Sequence, residues 1–132
     1  MRKSRGFSLI EVLVGLLILA IVITTTISMF AERQKRLRQA NETILAYQAL
    51  ANEAEIWRRI NFSKLDDVSA KKPTFQSDTT ILSPLAPFST SVKVDTARAD
   101  VKNVTLTVRW NNAQRTAKLG IVRVDTGGSS LW

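Results

Sequence analysis

An α+β fold is predicted by three features of the 132-residue chain: an uncharged apolar run near its start, a Gly- and Pro-free amphipathic stretch behind it, and short alternating segments in its last third. The run is Val12 to Ala31, the stretch behind it ends near Ile60, and the alternation is clearest at Val104, Leu106, Val108 and Trp110. Together they predict one long N-terminal helix, membrane-spanning in its first half and amphipathic in its second. That helix packs on a small antiparallel β-sheet.

The first element calls for a solvent other than water. No residue from Val12 to Ala31 is charged, and about 20 residues at 1.5 Å rise cross the hydrocarbon of a bilayer. Backbone groups in lipid must bond within their own segment, so the run is helical despite Gly15 and its many β-branched residues. An ordinary secretory signal has a shorter apolar part and a small-residue site after it. Here Thr24-Thr25-Thr26 leads on to Ile27 and Met29. The small residue placed for cleavage is Gly6, on the other side of the run. Basic residues stand at both ends, Arg2, Lys3 and Arg5 before and Arg33, Lys35, Arg36 and Arg38 after, so charge alone does not orient the helix. Gly15 and Thr24 to Thr26 are the expected soft points for bending.

One carboxylate, Glu11, stands at the head of this run. A charge in lipid costs on the order of 2.5–3.5 kcal/mol by insertion scales unless it is paired. Glu11 follows Phe7 by four residues, so the two share a helix face. The stretch Arg5-Gly6-Phe7-Ser8-Leu9-Ile10-Glu11-Val12, continued by Leu13-Val14, resembles the prepilin signal of type IV pilins and type II secretion pseudopilins. That signal is a short basic leader ending in Gly, then Phe, a Ser or Thr, Leu, a branched aliphatic and Glu. The resemblance covers about the first 25 residues, and each of those positions matches.

The resemblance implies that residues 1–6 are a leader, its charge supplied by Arg2, Lys3 and Arg5. It implies that a prepilin peptidase cuts between Gly6 and Phe7 and N-methylates Phe7, and that Glu11 is the acidic residue of filament entry. It implies a pilin-like fold. The partners would be other pilin or pseudopilin subunits, the inner membrane assembly platform and the lipid bilayer. The chain would cross the bacterial inner membrane once, N terminus cytoplasmic and C-terminal domain periplasmic, before joining a filament. Within this picture, the ammonium freed at Phe7 of a neighbouring, axially shifted subunit is the cation that neutralises Glu11.

Residues 7–31 are then the membrane and assembly helix, and 32–60 its amphipathic continuation. Leu37, Ala40, Ile44, Tyr47, Ala51, Ala54 and Trp57 recur at spacings of three and four, a stripe expected to lie on the sheet. From Phe7 to about Ile60 the helix would run roughly 80 Å. Residues 61–132 form the rest. Asn61 to Pro87 is rich in turn signals, with a short strand expected at Thr79 to Leu82. Strands are expected at Ser91 to Thr96, Val104 to Asn111 and Thr116 to Val124, three or four in all and antiparallel, with a hairpin loop at Asn111 to Gln114. The apolar parity of the last strand switches after Ile121, so a bulge is expected beside Gly120. The tail from Asp125 to Trp132 is expected to be flexible.

Composition narrows the function. The chain has no Cys and no His, which removes thiol chemistry, Cys-ligated metals and the commonest general base. It shows no Gly-rich phosphate loop, and Asp125 alone lacks the several oxygen ligands that calcium takes. No catalytic residue, cofactor or metal site is assigned, and the chain is read as a structural subunit, not an enzyme. Its formal charge is +8, or +5 without the first six residues. The leading expectation is a minor pilin or pseudopilin, on the small size of its domain and the missing Cys pair. Nucleic acid is not among its expected partners. The alternative is a DNA-uptake subunit of a competence pilus, with Arg109, Arg115, Lys118 and Arg123 as the basic surface and binding that falls steeply with salt.

Overall fold

A computed structural model describes residues 8–126. A single helix, α1 (Leu9–Arg59), runs unbroken through Gly15 and through Thr24 to Thr26. The chain divides into two compact units, Met1–Ala40 and Asn41–Trp132. The first is the apolar part of α1 and its basic end. The second holds the rest of α1 and everything that follows.

In the second unit a 3-10 turn at Phe62–Lys64 leads into a short helix, α2 (Leu65–Lys71), and a further 3-10 stretch covers Thr80–Leu85. Three strands follow among the described residues: β1 (Phe88–Arg98), β2 (Val101–Trp110) and β3 (Arg115–Val124), antiparallel in the order β1-β2-β3. Leu106 pairs with Val92 on one side and Leu119 on the other, and Trp110 stands between Phe88 and Arg115. The α+β class and the helix-on-sheet arrangement are those expected from the sequence.

The core lies between α1 and one face of the sheet. The helix contributes Ala46, Ala49, Leu50, Ala54 and Trp57, all buried. The sheet contributes Val92, Val104, Leu106, Val108, Trp110, Ala117 and Ile121. Leu65, Phe75, Leu82 and Leu85 close the remaining side from the connecting segment. That segment is therefore a third contributor to the core beside helix and sheet.

Four expectations need correction. The stripe is rotated: of its seven residues only Ala54 and Trp57 are buried, while Leu37, Ile44 and Tyr47 are at least half exposed and Ala40 and Ala51 lie outside. The buried set is Ala46, Ala49, Leu50, Glu53, Ala54 and Trp57, about 100° away around the helix. Thr79 to Leu82 is no strand, because residues 80–85 wind into a 3-10 helix that sends Leu82 and Leu85 into the core. No bulge forms at Gly120, which pairs with Thr105 in continuous register, and Val122 and Val124 stay exposed on the outer face. Among the described residues the register shifts only in β1, between Thr96 and Arg98. Finally, α2 occupies a region read as turns.

At the β2–β3 hairpin three successive residues, Asn111, Asn112 and Ala113, have positive φ of 52°, 54° and 65°. Asn tolerates this region, since its short side chain bonds locally; Ala has no such compensation. The loop closes with the Gln114 N–H donating to the Asn111 carbonyl (3.1 Å).

Candidate assembly and processing site

Glu11 lies in the first turn of α1, and its backbone N–H donates to the Ser8 carbonyl at 2.9 Å. A carboxylate in a first turn faces the positive end of the helix dipole. Its side chain is exposed, as is every side chain from Leu9 to Phe30. A helix whose whole apolar circumference is uncovered by its own chain requires a lipid or protein environment to remove that surface from water. The hydroxyls within it are self-sufficient. Thr24 donates to the Ala20 carbonyl (2.6 Å), Thr25 to those of Ile21 and Val22 (3.0 and 2.9 Å), Thr26 to Val22 (2.7 Å) and Ser28 to Thr24 (2.9 Å). Polar groups satisfied on their own helix are what a hydrocarbon environment demands. Gly6, Phe7, Arg2, Lys3 and Arg5 lie outside the described residues.

Residues 1–27 match the family model of the prokaryotic N-terminal methylation motif. The chain carries the type IV pilin and pseudopilin signal. No curated protein and no solved structure matches the chain. The matched residues include Glu11 and most of the exposed apolar part of α1, so the motif and the uncovered surface coincide.

Beyond the signal, the cations proposed for nucleic acid divide into two pairs. Arg109 and Lys118 sit on the outer face of the sheet, diagonal to one another across the β2–β3 ladder, since Arg109 pairs with Thr116 and Thr107 with Lys118. Arg115 and Arg123 turn to the helix side. Arg115 donates to the Glu42 carboxylate at 2.8 Å and lies over the Trp110 ring, 5.4 Å from its centroid, while the Trp110 indole N–H donates to the same carboxylate at 3.2 Å. Arg123 donates to the carbonyls of Arg58 and, at 3.1 Å, of Ile60, so it caps the C-terminal end of α1.

Two buried charges were not singled out from the sequence. Glu53 is 0 % exposed. Its Oε1 accepts from the Trp57 indole N–H (2.7 Å) and the Gln76 N–H (2.9 Å), and its Oε2 from the N–H groups of Gln76 (3.0 Å) and Ser77 (2.8 Å). The carboxylate thus clasps the connecting segment to the helix. The visible signal was Trp57, four residues on, with a donor to place on the same helix face. Lys102 is the other: its Nζ is 2.7 Å from the Asp66 carboxylate, donates to the Phe62 carbonyl at 3.2 Å and lies 4.7 Å from the Phe62 ring centroid. Its place in the inward parity of β2, beside Val104 and Leu106, is the pattern that marks it.

Proposed function

We propose that this chain is a minor pilin or minor pseudopilin, a structural subunit that a prepilin peptidase processes and that enters a filament through α1. The observation that carries the reading is the coincidence of the signal in residues 1–27 with an apolar helix that its own chain leaves bare. Cleavage falls between Gly6 and Phe7, Phe7 is N-methylated, and the apolar helix remains on the mature subunit. The helix then has two successive environments, the inner membrane and the filament interior, with the second unit outside on the periplasmic side. The small three-stranded sheet and the cysteine-free sequence favour a subunit that initiates or specialises a filament over the one that fills its shaft.

Glu11 is the assembly group in this reading. In the membrane it is held near the interface at the head of α1. In the filament the methylated ammonium of a neighbour's first residue pairs with it and sets the axial register. The competence alternative has less to stand on, because Arg115 and Arg123 already serve Glu42 and the end of α1. Only Arg109 and Lys118 of that set face outward with their charge uncommitted to α1.

The test is Glu11→Val in cells that carry the assembly machinery. The variant should insert into the inner membrane at normal abundance and be missing from sheared or secreted filaments. Normal incorporation of the variant would remove Glu11 from the mechanism.

A further inference from the structure

The apolar part of α1 is followed by a cluster of cations. Directly after Ala31, four cations fall within six residues: Arg33, Lys35, Arg36 and Arg38, all exposed. At 3.6 residues per turn they project at about 100°, 300°, 40° and 240° from Glu32, so no arc wider than about 140° lacks a cation. They span about 7.5 Å along the axis. Glu32 is the one acid among them and pairs with Arg36 at 2.6 Å, both side chains remaining largely in solvent. Counting Glu32 to Arg38, four positive charges and one negative leave +3.

We propose that Arg33, Lys35, Arg36 and Arg38 form a collar that binds the phosphates of anionic lipid headgroups in the leaflet at the C-terminal end of the membrane helix. The inference rests on the membrane-spanning reading of Val12 to Ala31 and adds a ligand chemistry and a site to it. Three observations carry it. The collar begins where a charge-free segment of bilayer length stops. Its axial extent fits the headgroup layer, about 5–7 Å per leaflet. Its charges encircle the helix, which a plane of phosphates around a helix requires and a track along one side does not. Three of the four are Arg, whose planar fork meets two phosphate oxygens at once, and all four have long apolar stems that lie along the acyl boundary while the charge stays in the headgroups. The exposed Glu32–Arg36 pair offsets one charge and leaves the collar at +3.

Each cation near an anionic surface is worth about a fivefold gain in association. The full chain is reconstituted in phosphatidylcholine bilayers containing spin-labelled phosphatidylglycerol or spin-labelled phosphatidylcholine, and the motionally restricted fraction of each is measured. The phosphatidylglycerol probe should be enriched severalfold at the protein, and the enrichment should fall with salt. A variant with Arg33→Gln, Lys35→Gln, Arg36→Gln and Arg38→Gln should bring the two probes to parity, whereas Arg2→Gln, Lys3→Gln and Arg5→Gln together should leave a clear enrichment. Insertion is read separately, from a nitroxide at Ile18→Cys in this otherwise cysteine-free chain. Contact of that label with oxygen but not with an aqueous relaxant confirms the span in every variant. Correct insertion with equal restriction of both probes, or enrichment that survives loss of the collar, overturns the collar alone. An aqueous label at position 18 overturns the membrane span, and the collar with it.

Discussion

Replacing Glu53 tests how the second unit is held together. Three N–H donors converge on this fully buried carboxylate, at 2.7 to 3.0 Å, and two of them belong to the connecting segment. A hydrogen bond to a charged group contributes about 1.5–3 kcal/mol net, and a buried donor left without its acceptor costs about 1–3 kcal/mol. Simple addition overstates the loss, because Gln76 and Ser77 can swing out and take water, and because burying the carboxylate is itself unfavourable. Glu53→Ala should therefore cost about 3–5 kcal/mol. Glu53→Gln keeps the shape and one acceptor oxygen but turns an NH2 towards a backbone N–H, for about 2 kcal/mol. In a unit of this size about 1 kcal/mol shifts Tm by 4–8 °C, so the Gln variant should melt roughly 10 °C lower. The assay is thermal unfolding of the detergent-solubilised chain, followed by tryptophan emission, with hydrogen exchange at the amides of Gln76 and Ser77. Both amides should be protected in the native chain and exchange freely in Glu53→Ala. An unchanged Tm in Glu53→Gln, with both amides still protected in Glu53→Ala, would refute the clasp.

Other consequences follow from the same interactions. Ala113 has φ of 65° in the hairpin, a conformation that costs a non-glycine residue about 1–2 kcal/mol, so Ala113→Gly should stabilise the chain by about 1 kcal/mol; a loss in denaturant unfolding would contradict this. The Thr80 hydroxyl and then the Thr80 N–H donate to Asp78 and hold its carboxyl below the ordinary 3.8. A carboxyl lowered by folding adds stability above its unfolded value and loses it as pH falls through the lower folded value. The gap in stability between the native chain and Asp78→Asn should thus be constant from neutral pH down to the neighbourhood of 3.8 and narrow below it, and a gap that does not respond to acid would count against the interaction. For Arg115 and Glu42, whose side chains are 29 % and 27 % exposed, a double-mutant cycle with Arg115→Gln and Glu42→Gln should give a coupling of about 1 kcal/mol; a value near zero would make the pair incidental.

How far the chain could be read in advance depends on the kind of signal each element emits. The central strand β2 has apolar neighbours on its inner face and polar ones outside, so period two is written plainly into Val104, Leu106, Val108 and Trp110. The existence of α1 was equally plain, but its rotation was not. Ala46 and Ala49 contribute little hydrophobicity, and Glu53 opposes it, so large apolar side chains elsewhere on the helix, Leu37, Ile44 and Tyr47, pull the expected stripe away from the face that packs. Thr79 to Leu82 looked like a strand because Thr and Ile favour one, yet it has no strand partner and the core is better served by a turn that buries Leu82 and Leu85. The outward valines of β3 suggested a register break; they are simply exposed at a sheet edge. The signal at the N terminus was legible because it is a linear motif, whereas the commitments of Arg115 and Arg123 depend on Glu42 and the end of α1, far away in sequence.

The fate of the first residues of the chain is measured by intact-mass and N-terminal peptide mass spectrometry of the protein isolated from cells with an active prepilin peptidase. The mature chain should have lost Met1 to Gly6 and begin with N-methylated Phe7. A chain that keeps Met1 through Gly6 under those conditions, or that is cut on the far side of the apolar segment, would contradict it.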